Sequence, residues 1–338
     1  MAARKLRWGI ISTARIGTEK VIPGLMRSEH CHVQAIASRS LDLAQSTARR
    51  LGIPTAHGSY EALLADPEID IVYNPLPNHL HVPVTLQAAA AGKHVLCEKP
   101  IGLNAQDAER LRDAGDKVLI MEAFMVRFHP QWLRVRDLVR SGAIGPVRAI
   151  QSYFAYFNDD PANIRNMAQY GGGAALDIGC YPIVIGRYLY ETEPRRIMSL
   201  IDSDPDFKID RLTSALVDFG DGRRLDFTVS TQSVPYQRVQ VIGTTGRIEI
   251  QIPFNAPQTS ETRIFIDDGS ALDGAAIRTE TFPPADQYAL QGDAFTKMVL
   301  GEIVPAYGVE DAIRNMRVID ALFRSEQTGK WEPILTEG

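Results

Sequence analysis

Two stretches carry side chains whose chemistry goes beyond packing: "LCEKPIG", with Lys99, and "GGGAALDIGCYP", with Asp177 and Tyr181. A phenol has a pKa of roughly 10 and is a poor base near neutrality, whereas a nearby ammonium favours the phenolate. A lysine and a tyrosine brought together could therefore exchange a proton with a hydroxyl. Asp177 precedes Tyr181 by four residues, a spacing that puts two side chains on one helix face. Pro182 opposes that geometry, because inside a helix it would remove the bond to Ile178, so the helix is expected to start near Gly179 or to bend there. Gly171, Gly172 and Gly173 offer a pliable approach.

A second kind of chemistry is phosphate binding. "GIISTARIG" puts Ser12, Thr13, Ala14, Arg15, Ile16 and Gly17 in the register of a G-x-G-x-x-G turn, with two of the glycines replaced. Such a turn points backbone N–H groups and a helix N-terminus at an anion. Ala14 still permits close approach and Gly17 keeps helix and strand close, while Ser12 is expected in an ordinary backbone conformation. A plain strand-to-helix turn would look similar; position on the first strand favours the nucleotide. The second strand ends in Ser38, Arg39 and Ser40, with no carboxylate before Asp42. An arginine there suits a 2′-phosphate, and either serine could donate to it, so NADP is favoured over NAD.

These side chains need elements to hold them. "LRWGIIS", "VQAIASR", "IDIVYNP", "HVLCEKP" and "VLIMEAF" are short β-branched runs separated by helical spacing, which implies right-handed βαβ units and a parallel sheet. Lys99 lies at a carboxyl end of such a strand, where open parallel sheets bind ligands, and Pro100 restricts its backbone. Beyond about residue 125 the texture changes. "VRAIQSYFAYF" alternates, and short turns at Gly220-Asp221-Gly222 and Thr244-Thr245-Gly246 join strand-like runs, favouring an antiparallel sheet. The expected class is α/β: a doubly wound Rossmann domain over residues 1–125, then an α+β domain with a large, mainly antiparallel open sheet over 126–338. A terminal helix carrying Ala312, Met316, Ile319 and Phe323 must bury its stripe, with the first domain one place to do so.

Bulk properties bound the partners. A length of 338 residues suits two domains, and a net charge of −5 argues against nucleic acid or an anionic membrane. Three widely spaced cysteines read as reduced thiols, and the start of the chain holds no apolar run of signal-peptide length, so cytoplasmic residence is expected. His79, His81 and His129 show no metal-ligand spacing, and no metal is expected.

With "YNPLPNHLHV", "LCEKPIG", "EAFMVRFHP", "GGGAALDIGCYP" and "VIGTTGRIEI", nearly the whole chain resembles the Gfo/Idh/MocA oxidoreductase family. That resemblance implies that Lys99 sits beside the nicotinamide and the substrate hydroxyl, and that Asp177 and Tyr181 stand where the family has an aspartate and a proton-exchanging histidine or tyrosine. Asp177 then either orients Lys99, accepts a substrate hydroxyl, or caps a helix. Asn74, Pro75, Leu76, Asn78 and His81 follow the fourth strand, where the family loop lines the cofactor. Glu98 is read as a ribose ligand or a structural ion pair, and Arg127 and His129 as sugar contacts or fasteners. Tyr153, Phe154, Tyr156 and Phe157 read mostly as core.

The function expected is NADP-dependent hydride transfer at a sugar hydroxyl or carbonyl, chiefly oxidation of aldose C1 to a lactone, with coupled aldose reduction open. Rivals are a trans-dihydrodiol dehydrogenase, a nucleotide-sugar ketoreductase and, from another class, a non-catalytic NADP-binding sensor. The family further implies a homodimer or homotetramer built through the open sheet.

Overall fold

The computed structural model describes residues 5–335; the outermost ends of the two expected domains lie outside the described residues. One compact unit extends to Phe128 and takes in Asp286–Ile313, and the other holds His129–Ala285 and the chain from Arg314 onward. The first unit thus gains a late excursion that hydrophobic spacing did not announce. Its helix Gln287–Val299 starts on an Asp286 cap and covers the sheet with Phe295, which packs edge-on against Trp8 at 6.0 Å. Periodicity gives a helix its apolar stripe but not the identity of its partner.

In the first unit, β1 (Leu6–Ile11), β2 (Cys31–Ala37), β3 (Thr55–His57), β4 (Ile71–Asn74), β5 (His94–Cys97) and β6 (Ile120–Glu122) form one sheet. Its order is β3-β2-β1-β4-β5-β6, all parallel, the doubly wound arrangement. Five of the strands are the runs expected; β3 has only three half-buried residues and gives no apolar signal. Trp8, Ile10, Ile36, Tyr73 and Leu96 build the core against helices on the faces. The carboxyl ends of β4, β5 and β6 lie in register, Asn74 beside Cys97 and Cys97 beside Glu122.

The second unit holds β7 (Val147–Phe157), β8 (Arg196–Ser203), β9 (Asp210–Gly220), β10 (Arg223–Ser230), β11 (Gln232–Gly243), β12 (Arg247–Ile250), β13 (Thr262–Asp267), β14 (Arg278–Phe282) and β15 (Glu332–Pro333). They pair in the order β14-β13-β12-β11-β7-β10-β9-β8-β15, antiparallel except between β7 and β10. Both expected hairpins form, β9 to β10 around Asp221 and β11 to β12 around Thr245. The helices Pro130–Arg140 and Cys180–Tyr190 pack on this sheet. Alternation leaves Met198, Leu200, Leu216, Val234 and Tyr236 exposed, and some of these line a shallow hollow of about 730 Å³. None of the expected site residues lines it. All three cysteines are free and buried.

The glycine triplet ahead of Tyr181 is a close approach rather than a pliable segment. A Cβ on Gly172 would stand 2.4 Å from the Arg165 carbonyl oxygen. At Gly173, with φ at +113°, it would stand 1.9 Å from Asp210 Oδ1. That intimacy lets the Asp210 carboxylate, at the start of β9, accept from the Ala175 amide at 2.6 Å and from Thr213 Oγ1 at 2.9 Å. Asp210 thereby fixes the start of the helical segment bearing Asp177 and Tyr181, supplying the acceptor that its first amides lack.

Two expectations follow. Gly173→Ala should lower the free energy of urea unfolding by roughly 3 kcal/mol. Gly142→Ala, also left-handed at +71° but with open space around it, should cost only about 1 kcal/mol; equal losses would reject the contact with Asp210. Burial raises the Asp210 pKa to about 6, so the folded chain binds this proton more tightly than the unfolded one. Its contribution is therefore greatest below about pH 4 and is lost as pH rises through about 6. In urea titrations, the stability of wild type relative to Asp210→Asn should fall by roughly 2 to 3 kcal/mol over that window, and a difference independent of pH would refute the buried carboxyl's role.

Candidate active site

The nucleotide turn begins where β1 ends. Ser12 has φ at +71°, so the ordinary conformation expected of it is corrected. A left-handed L-residue costs roughly 1 to 2 kcal/mol, and here the Ser12 hydroxyl offsets part of that by accepting from the Ala14 amide at 3.2 Å. Glycine's geometry is thus kept without glycine. Packing does not enforce the third glycine either, because a Cβ on Gly17 would meet Tyr73 and Pro75 at ordinary distances of 3.7 and 3.8 Å. Thr13 and Ala14 lead into a continuous helical run, in which Arg15 pairs with Glu19 in solvent and Ile16 packs on the core.

Ser38 and Arg39 follow β2, whose last residue, Ala37, is paired with Ile11 of β1. Ser38 is buried and accepts from the Ser40 amide, while Ser40 caps the helix Leu41–Leu51 by accepting from Leu43. Each hydroxyl accepts in these contacts and keeps its own O–H to donate. Arg39 is exposed and bonds the Tyr60 hydroxyl. An exposed guanidinium beside a small-residue left-handed turn, with no carboxylate at the strand end, fits a dinucleotide carrying a 2′-phosphate.

At the ends of β4 and β5, several expected cofactor contacts prove to be loop-holding groups. The Asn74 side chain is fully buried; it donates to the His81 carbonyl and to Thr85 and accepts from the Leu76 amide. His81 has its ring nitrogens 2.7 Å from the Pro100 carbonyl and 2.6 Å from that of Leu76. It joins two loops. Pro75 and Leu76 are buried, and Asn78 begins a short turn ahead of the helix His81–Ala90. Glu98 accepts from the Tyr73 hydroxyl at 2.7 Å. Lys99 is half-buried and joined to Pro100 by a cis peptide bond.

Of the two roles expected for Arg127 and His129, sugar contact or fastener, burial and partners favour the structural one. Arg127 is buried, ion-paired with Asp311 at 2.7 Å and stacked 4.0 Å from the Tyr307 ring centre. His129 is buried and caps the helix Pro130–Arg140, accepting from the Gln131 amide. Burial pushes its pKa down to about 4, so the ring is neutral.

In the second unit, Ala175–Gly179 takes a wide π turn before the α-helix starts at Cys180. Such turns recur at functional sites. Pro182 consequently falls in the first turn of an α-helix, as the first of the two expectations for this stretch, a start near Gly179, had it. Tyr181 is only 5% exposed, set between Phe154 at 5.8 Å and Phe254 at 5.4 Å. Asp177 does not cap the helix. Its carboxylate accepts from the Tyr156 hydroxyl at 2.5 Å and from Arg165 Nε at 3.1 Å. Burial and the Asp177 charge hold the Tyr156 phenol well above its usual pKa, so it remains a donor. Of the four β7 aromatics, Phe154 is core, Tyr153 faces Tyr236, and Phe157 is 60% exposed.

Sequence reasoning missed Asp210, Arg165 and Glu122. Only the glycine triplet hinted at the first, since a glycine run before a helix can mark a crowded backbone. Glu122 lay in the quoted "MEAF" but as strand, not as a polar group. Among the described residues, no cluster of His, Cys, Asp or Glu is arranged to hold a metal, and no helix is long and apolar enough to cross a membrane.

Comparison with known proteins bears on both units. Residues 6–119 match the oxidoreductase family described as having an NAD-binding Rossmann fold, and residues 132–249 match the GFO/IDH/MocA C-terminal domain. An uncharacterized oxidoreductase of Rhizobium meliloti is 46% identical over 97% of this chain and 99% of its own. A D-xylose 1-dehydrogenase (NADP(+)) of Haloferax volcanii is 39% identical over 96% and 98%. Among solved structures, the 3-ketoreductase KijD10 of Actinomadura kijaniata, in complex with NADP and TDP-benzene, superposes with a TM-score of 0.88 at 31% identity, over 95% and 98% of the two chains. Strand order, nucleotide turn and sequence agree, and the chain belongs to the GFO/IDH/MocA family of oxidoreductases.

Proposed function

We propose that this chain is an NADP-dependent aldose dehydrogenase that oxidises the anomeric carbon to a lactone, with Tyr181 as proton carrier. The observation that carries the reading is Lys99 at the carboxyl end of β5, in a sheet of dinucleotide-binding order with Arg39 exposed at the end of β2. Likeness to a D-xylose 1-dehydrogenase over almost the whole chain supports the aldose.

Ser12, Thr13 and Ala14 would hold the pyrophosphate and Arg39 the 2′-phosphate, and bound NADP would supply the two-electron acceptor. The remaining work falls to the chain. Lys99 would hold the anomeric hydroxyl, and an ammonium near a phenol favours its phenolate. Tyr181 takes the hydroxyl proton while C1 becomes a carbonyl, and in reduction it returns it. Asp177, already held by Tyr156 and Arg165, presents a fixed carboxylate to the sugar. A non-catalytic NADP sensor would need neither Lys99 nor Tyr181.

Reduction of a nucleotide-linked ketosugar is the second reading, favoured by likeness to the KijD10 ketoreductase. An aldose and polyol panel with NADP, set against a nucleotide-linked ketosugar with NADPH, separates the two. Cytoplasmic residence and a homodimer or homotetramer belong to the same proposal. Its support is the open face of the nine-stranded sheet, where Leu200 and Val234 are 74% and 76% exposed, a surface that gains by being covered.

Two substitutions test the site. Tyr181→Phe should keep NADP affinity within about threefold and lower kcat by roughly 10² to 10⁴; unchanged turnover removes the proton-transfer role. For Arg39→Ala, titration of intrinsic fluorescence should show NADP weakened about 10- to 100-fold and NAD hardly at all, whereas equal losses would assign Arg39 to the shared part of the nucleotide.

A further inference from the structure

We propose that Glu122 is a positioning residue for Lys99, acting with His81 through the Pro100–Ile101 peptide. The inference rests on the reading of Lys99 given above.

Glu122 ends β6, one strand over from the strand that delivers Lys99, and lies in register with Cys97. It is 3% exposed, and its Oε1 accepts from the Ile101 amide at 2.7 Å. The carbonyl preceding that amide, on Pro100, faces His81 Nδ1 at 2.7 Å, and His81 is 1% exposed. Both polar groups of a single peptide, directly after Lys99–Pro100, thus meet buried ionisable side chains, one from the end of β6 and one from the start of the helix His81–Ala90.

Burying a polar side chain is costly unless it is hydrogen-bonded, and the Ile101 amide is a partner that Glu122 has in that position. What fixes the peptide is the reach of the acceptor, an oxygen held by a buried side chain at 2.7 Å from the Ile101 amide. Two carbonyl partners would call for an imidazolium at His81, but burial, aided by the Lys99 charge, pulls its pKa down to about 4. Desolvation is the larger effect; the ring is neutral and donates to one carbonyl at a time. Glu122 therefore gives the firmer hold, and it aims Lys99 without touching substrate.

The test compares two near-isosteric variants of the full chain, using D-xylose and NADP as probes. Glu122→Asp keeps the charge but withdraws the oxygen by one methylene, and should lower kcat about 10- to 100-fold, with NADP affinity within about threefold of wild type. Glu122→Gln loses the charge but keeps an acceptor at the same reach, and should retain kcat within about threefold. Retention of kcat by both variants, the reverse ranking, or a loss of NADP affinity and urea stability matching the loss of kcat would each overturn the positioning role. Lys99→Ala separates this from the reading beneath it: undiminished turnover there removes the role of Lys99 itself. If Lys99→Ala is impaired, adding Glu122→Asp should not lower the residual rate further.

Discussion

A carboxylate taken out of water stays charged only where amides or cations replace its hydration, and Asp210 meets that condition at the start of a helix. The acceptor it gives to Ala175 needs a backbone with no Cβ in the way, hence Gly173. Everything downstream inherits this placement: the π turn, the orientation of Asp177 towards Tyr156 and Arg165, and the seat of Tyr181 between two phenylalanines. Removing the single contact would leave several side chains without a common reference.

The first unit solves a similar problem with different means. Loops leaving parallel strands expose backbone groups that no neighbouring strand can satisfy. Side chains at the ends of β4 and β6 take up those groups, Asn74 at the Leu76 amide and Glu122 at the Ile101 amide. Residues that look like ligands by type therefore serve as scaffolding by contact. The Gly-poor nucleotide turn is handled in the same way, with a serine hydroxyl doing locally what a missing side chain does elsewhere.

Fold was legible because it depends on periodicity, which the sequence displays directly. β-branched runs separated by helical spacing announced the parallel sheet, and turn residues around Asp221 and Thr245 announced hairpins. The return of Asp286–Ile313 to the first unit was not legible, since Phe295 could have packed on any apolar surface. At the site, residue types were visible but their partners were not. Arg127, His129 and His81 are chemically plausible contacts by type, and only the structure shows the carboxylate, the helix amide and the two carbonyls beside them. Asp210 stayed hidden because an aspartate opening a strand has no motif; only three-dimensional proximity to Gly173 gives it meaning.

The three thiols carry a last consequence. Cys180 adjoins Tyr181 in sequence, and Cys97 lies two positions before Lys99, yet both are buried, as is Cys31. Desolvation pushes Cys31 up to about 11 and Cys97 higher still, so almost none of either is thiolate at neutral pH. Sulfur beside the proposed chemistry is thereby shielded from oxidants and alkylating reagents. Handling in air without reductant, or attaching a probe through an engineered surface cysteine, should leave those native sulfurs untouched.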